Sequence, residues 1–278
     1  MKNNIIAFQG AEGANSHLAC RKAYPEMTVM PCDTFEDVFD SVHIGQSNLA
    51  MIPIENSVAG RVADIHNLLP DSGLYIIGEH FQRVRHCLLA NKNVSIEQLE
   101  RVYSHIQALS QCRQSLRKLN LKAEPYADTA GAAKRISNQQ SLHEGAIASE
   151  FAAEIYKLKI LKRDIEDEGH NTTRFIVLSK EEQRPDISGG PAITSFVFQV
   201  RNVPAALYKA MGGFATNGVN MTKLESYQIG GSFQATQFYA EVEGHIDDSS
   251  VVQAIEELKF YTSKLNILGV YSAHKLRG

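Results

Sequence analysis

Residues 180–191 read Lys-Glu-Glu-Gln-Arg-Pro-Asp-Ile-Ser-Gly-Gly-Pro, and this stretch divides the chain. It joins charge to two prolines and a Gly-Gly pair and has no apolar period, which suits an exposed linker and neither a helix nor a strand. The 278 residues exceed the roughly 100–150 of a usual single domain. Two cores are therefore expected, over 1–180 and 192–278, joined by 181–191.

On the N-terminal side of the linker, short apolar runs at 5–8, 49–54, 74–81, 102–104, 146–149 and 174–178 read as strands. Stretches of helical period at 18–24, 35–44, 108–119, 130–138 and 151–156 lie between several of them. Such alternation predicts α/β architecture with largely parallel sheets. On the C-terminal side, 193–200 alternates as a strand, and Pro204 opens a helix to about Thr216 that Asn217-Gly218 stops. Strands at 221–227 and 235–242, a helix at 251–262 and a strand at 267–271 complete a βαββαβ order.

Composition removes several classes. A hydrophobic fraction of 44% with 21% charged residues is that of an ordinary folded protein. Lys and Arg total 28 against 31 acidic residues, for a net charge of −3, so no basic excess exists to neutralise a nucleic-acid backbone. The four cysteines form no CxxC pair and the ten histidines no HExxH, which argues against a zinc site or a disulfide framework. The opening apolar run, Ile5-Ile6-Ala7-Phe8, is too short for a signal-peptide core, and nothing approaches the ~20 apolar residues of a bilayer span. A cytoplasmic location with reduced thiols is expected.

Small polar residues recur where strands give way to helices: Asn15-Ser16, Glu55-Asn56-Ser57, Ser104-His105-Ile106-Gln107, Asp128-Thr129 and Ser149. In open α/β sheets the carboxyl ends of strands form the ligand crevice, and helix N-termini there favour an anion. Each is equally an ordinary N-cap. Gly10-Ala11-Glu12-Gly13 has neither the dinucleotide nor the phosphate-loop spacing. In Asn171-Thr172-Thr173-Arg174-Phe175, hydroxyls and a guanidinium precede an apolar strand. Arg suits bidentate carboxylate recognition, and the alternative is a surface ion pair with Asp164, Glu166, Asp167 or Glu168.

The run from Tyr156 through Leu158, Leu161 and Asp167 to Thr173-Arg174-Phe175 resembles the extended signature of the prephenate dehydratase family. Pro53–Gly60 is similar to its Pro-x-Glu-Asn-Ser/Thr loop, 104–112 (SHIQALSQC) to its Ser-His-x-Gln segment, and 128–133 to a further block. The C-terminal part resembles the ACT regulatory domain that commonly follows it.

That resemblance implies a type II periplasmic-binding-protein-like fold of two α/β lobes with the site in the cleft, followed by a ferredoxin-like ACT domain. Crossings between the lobes would fall near 74–90 and 160–171. It implies conversion of prephenate to phenylpyruvate, with loss of the ring hydroxyl as water and the ring carboxylate as carbon dioxide, and no cofactor or metal. Thr173 is then expected at the leaving hydroxyl, Glu55 is the alternative proton donor ahead of His105, and Arg174 is expected at a substrate carboxylate. Ser16, Asn56, Ser57, Ser104, Gln107, Gln111, Thr129 and Phe175 are expected to line the rest.

ACT domains of this family bind phenylalanine through a Gly-Ala-Leu helix start and a Glu-Ser-Arg-Pro motif. The corresponding residues are Asn202, Ala205, Ala206 and Leu207, then Glu225 and Ser226 followed by Tyr227-Gln228. Ala205 thus replaces a glycine, and the Arg-Pro pair is missing. Residues 10–16 also depart from the family's Gly-Pro-x-Gly-Thr-Phe-Ser. Feedback inhibition by L-phenylalanine and a homodimer or homotetramer are expected. The alternatives are arogenate dehydratase, on the aminated substrate analogue, and a non-catalytic small-molecule sensor; nucleic-acid binding has the least support.

Overall fold

The computed structural model describes residues 4–201, 203–228 and 235–277. In chain order the first elements are β1 (Ile5–Gln9), α1 (Asn15–Ala23), β2 (Thr28–Cys32), α2 (Phe35–His43), β3 (Leu49–Asn56), β4 (Gly60–Arg61), α3 (Ala63–Leu68) and β5 (Tyr75–Arg83). A second group follows: β6 (Cys87–Ala90), β7 (Arg101–Ser104), α4 (Ile106–Gln111), α5 (Arg113–Lys118), β8 (Lys122–Pro125), α6 (Thr129–Gln139), β9 (Glu144–Ala148), α7 (Glu150–Tyr156) and β10 (Lys159–Lys162). Then come β11 (Thr172–Ser179), β12 (Ala192–Val200), α8 (Ala206–Thr216), β13 (Met221–Gln228), β14 (Ala235–Glu243), α9 (Ser249–Tyr261) and β15 (Thr262–Ser272).

Two sheets make up the α/β part. The first runs β2-β1-β3-β11-β5, with β4 hairpinned on β3, and the second runs β10-β6-β9-β7-β8. β1 is parallel to both β2 and β3, and its Ile6, Ala7 and Phe8 are fully buried, as expected of a strand covered on both faces. A capping box between Thr34 and Asp37 starts α2. The chain passes from the first sheet to the second over residues 84–86 and returns over 163–171, within the two regions expected for the crossings.

Several elements differ from the sequence reading. β2 and β8 escape it because each is a short, proline-bearing strand at a sheet edge, where pairing supplies what periodicity lacks. The helix expected over 108–119 is two, broken at Cys112 with φ −111°. β3 runs on through Glu55 and Asn56.

The chain divides into two compact units, one of residues 1–65 and 80–175, the other of 66–79 and 176–278. Residues 180–191 between β11 and β12 hold neither helix nor strand. The second unit contains the order β12-α8-β13-β14-α9-β15, with an antiparallel sheet β13-β14-β12-β15. Its core packs Phe196, Phe198, Phe214 and Phe238 against Leu258 of α9. Among the described residues, no helix is long and apolar enough to cross a membrane.

Candidate active site

The site grows from the end of β3. Asn56 Oδ1 accepts from the backbone N–H of Val58 (3.0 Å) and Ala59 (2.8 Å) in the turn that leads to β4. Those two donors identify the carbonyl side of the amide, so Nδ2 is the side that faces β11. Nδ2 donates to Thr173 Oγ1 at 2.9 Å and to Asn171 Oδ1 at 2.7 Å. One lone pair of the Thr173 hydroxyl is thereby occupied, and its proton is left for another acceptor. Ser57 ties the same turn to the start of β11: its Oγ donates to His170 O (2.8 Å) and accepts from Thr172 N (2.9 Å).

Thr173 opens onto a cavity of about 610 Å³, a size typical of small-molecule sites. Ser16, Asn56, Gln107, Gln111, Thr129 and Thr173 all line it. α1 begins at Asn15 with no side-chain cap, so its first N–H groups are unspent at a cavity wall, and the positive end of the helix favours an anion there. Across the cavity, Asp128 caps α6 by accepting from Gly131 N at 2.7 Å, and His105 caps α4 by accepting from Gln107 N at 3.3 Å.

Five expected residues stand elsewhere. Ser104 is fully buried and donates to Ile147 O at 2.6 Å, which leaves its hydroxyl no path to a ligand. Phe175 is a core residue, 1% exposed. Ser57 stitches loop to strand, as described. Arg174, 4% exposed, donates to Glu55 Oε1 at 2.8 Å, and neither lines the cavity. In this structure Arg174 and Glu55 form an ion pair with each other. Glu55, on β3, is a partner of Arg174 that sequence reasoning did not weigh.

Sequence reasoning missed Arg61, His86 and Asn171, which line the cavity. Arg61 follows the glycine of the 53–60 loop, and that loop was the only signal that could have pointed to it. His86 is buried, and burial lowers its pKa, only partly offset by its hydrogen bond to Gln111 and by Glu166; it is a neutral imidazole at pH 7. The cavity wall thus carries the Arg61 guanidinium, the carboxylates of Asp64 and Asp128, the hydroxyls of Ser16, Thr129 and Thr173, and several amides. Hydrogen-bond donors of this kind, aimed at one point, are the type that can stabilise a leaving oxygen.

Comparison with known proteins bears on what that chemistry serves. The prephenate dehydratase family profile matches residues 6–183. The chain belongs to that family. It is accordingly a dehydratase, a lyase acting on prephenate. Prephenate dehydratase relatives extend over nearly the whole chain: the bifunctional N-acyl-homoserine lactone acylase/prephenate dehydratase of Komagataeibacter europaeus is 48% identical over 273 residues, 98% of this chain and 97% of its own. Arogenate dehydratase 2 of Petunia hybrida is 40% identical, covering 96% of this chain and 71% of its own. Among solved structures, GqqA, described as a novel type of quorum quenching acylase, superposes with a TM-score of 0.92 at 48% identity, over 99% of this chain and all of its own. The prephenate dehydratase of Arthrobacter aurescens in complex with L-Phe superposes with a TM-score of 0.89 at 28% identity, over 97% of this chain and 90% of its own.

Proposed function

We propose that prephenate binds in the 610 Å³ cavity between two lobes of periplasmic-binding-protein type, and that Thr173 acts on its leaving hydroxyl. The observation that carries this is the direction of the Asn56–Thr173 hydrogen bond: with Oγ1 accepting from the amide, the threonine O–H donates to the departing oxygen. Electrons of the ring carbon–carboxylate bond move into the ring as carbon dioxide leaves. The ring carbon–oxygen bond breaks, and the hydroxide, held by the Thr173 hydrogen bond until solvent protonates it, departs as water. Arg61 pairs with a substrate carboxylate, with the α1 N-terminus as a second anion site. Asn56, Gln107, Gln111, Thr129 and Ser16 supply neutral hydrogen bonds, and Arg174 and Glu55 support β11 from beneath.

The test follows phenylpyruvate absorbance in alkali after purified protein meets prephenate at neutral pH, with arogenate and an N-acyl-homoserine lactone offered in parallel. Prephenate turnover that falls by about 10²–10³ in Thr173→Val, the range for losing one transition-state donor, supports the reading. Normal turnover in a folded Thr173→Val protein removes Thr173 from its role. Preference for arogenate would transfer the same mechanism to the aminated substrate, as the names of the plant relatives allow. Absence of turnover with any substrate favours a sensor.

We further infer that residues 192–278 form an ACT domain through which L-phenylalanine inhibits the enzyme, in a cytoplasmic homodimer or homotetramer. The βαββαβ order and the L-Phe complex of the Arthrobacter relative support the effector. Four free thiols support a reducing compartment. Ala205, Ala206 and Leu207 stand at the start of α8, and Glu225 and Ser226 on β13; Asn202 lies outside the described residues. Calorimetric titration with L-phenylalanine and light scattering at micromolar protein test the two parts. Silent titration with and without substrate would leave these residues without an effector, and a monomer would refute the assembly.

A further inference from the structure

Gln111 ends α4 in the lobe of the second sheet, yet its side chain is held from the chain crossings. Asn171 Nδ2 donates to Gln111 Oε1 at 2.8 Å, and His86 Nε2 lies 2.9 Å from the same oxygen. His86 is on the outgoing crossing and Asn171 on the returning one. The crossings are themselves stapled, through Val84 N to Asn171 O (2.9 Å), Ile165 N to His86 O (3.0 Å) and His86 N to Glu166 Oε2 (2.9 Å).

Hydrogen-bond direction can be followed through this chain without ambiguity. The backbone N–H groups of Val58 and Ala59 set the Asn56 amide. Asn56 Nδ2 then sets Asn171, whose Oδ1 accepts and whose Nδ2 must donate to Gln111. Gln111 Oε1 is an acceptor, so His86 Nε2 carries the proton, and its Nδ1 is buried with no partner. With Oε1 taken twice, Gln111 Nε2 makes no hydrogen bond to any described residue, on a side chain that lines the cavity.

We propose that Asn171 and His86 are positioning residues for Gln111, which jointly hold its carbonyl and thereby present its amide N–H groups to an acceptor oxygen of the substrate. The amide cannot turn over while both donors stand, since rotation would set N–H against N–H on two sides. Gln111 is thus a donor in the site and cannot accept from the ligand. The proposal rests on the dehydratase reading for its substrate, but the tautomer it requires does not.

Two measurements test it. In ¹⁵N-resolved NMR of the full chain at pH 7, His86 is expected to be protonated at Nε2 and bare at Nδ1; an Nδ1–H tautomer would reverse the direction at Gln111 and overturn the proposal whatever the enzyme turns over. In steady-state kinetics with prephenate, His86→Leu is expected to lose about 3–10-fold in kcat/KM, the worth of one hydrogen bond. His86→Gln, whose amide nitrogen reaches the same place, is expected to restore most of that loss. Asn171→Asp, which replaces the donor by an acceptor and turns Gln111 around, is expected to lose about 100-fold. Folded His86→Leu or Asn171→Asp protein with wild-type kcat/KM, or His86→Gln as impaired as His86→Leu, would overturn it. Failure of the wild-type protein to act on prephenate would strike the functional reading and leave the tautomer result standing.

Discussion

Arg174 and Arg61 stand in different surroundings. Arg174, beside the threonine of the signature, is buried against Glu55, whereas Arg61, in a two-residue strand, lines the cavity. Their variants should therefore fail differently. Arg61→Ala is expected to raise KM for prephenate by about 10–100-fold, as for a lost charged hydrogen bond, with unchanged stability. Arg174→Ala is expected to destabilise the fold by about 2 kcal/mol, since removing one partner strands a carboxylate, below the full cost of a buried pair because Glu55 is 31% exposed. Steady-state kinetics beside urea denaturation separates the two; a raised KM in a stable Arg174→Ala protein would return the carboxylate to Arg174.

Two helix starts depend on left-handed backbone. Gly13, with φ +87°, brings the loop before α1 against α7, where an added Cβ would lie 3.0 Å from Ala152 Cα. The contact is sealed by Ser149 Oγ donating to Gly13 O and Tyr156 OH to Glu12 O. Gly13→Ala is expected to cost at least about 2 kcal/mol, from backbone strain and overpacking together. At the start of α8, Ala205 holds φ +61°, which costs a residue with a Cβ about 1 kcal/mol. Ala205→Gly, which removes the Cβ at a left-handed position, is expected to raise stability by about that amount in urea denaturation. No gain there would mean that flanking residues absorb the strain. Tyr227 is likewise used locally: it is buried on β13, and its hydroxyl pairs with His66 Nδ1.

At the scale of the molecule, buried histidines make stability depend on pH. Burial lowers the pKa of His17, which stacks on Phe8 and meets Phe151 edge-on, opposed by Glu12 and assisted by Arg21. It also lowers that of His86. Both pKa values are lower folded than unfolded, so below the unfolded value of about 6.5 the unfolded chain binds more protons and stability falls as pH falls. The unfolding midpoint should be level between about pH 7 and 8 and drop through pH 6 and below, with a smaller drop in His86→Gln, which cannot titrate. An equal drop in that variant would remove His86 from the effect. The thiols point the same way as the free cysteines: burial pushes Cys20 up to about 12 and raises Cys112 as well, so native protein should resist thiol reagents at these positions until unfolded.

Local pattern was enough to read an α/β part followed by a βαββαβ part, because apolar period, helix stops and turn residues act over a few neighbours; it placed the division at 180–191, whereas the compact units divide after residue 175 and residues 66–79 fall in the second unit. It was not enough for β2 and β8, which exist through pairing with a neighbouring strand. Nor could it say which polar side chains face the cavity. Glu55 and Arg174 meet across 119 residues and Asn171 and Gln111 across 60, and each contact is made by β3, β11 and the two crossings coming together. Sequence pattern carried most of the elements and the order of the two parts. Burial of Ser104 and Phe175, the place of Arg61 on the cavity wall and the Asn56–Thr173 hydrogen bond come from the folded chain alone, because such contacts depend on partners that folding brings within about 3 Å.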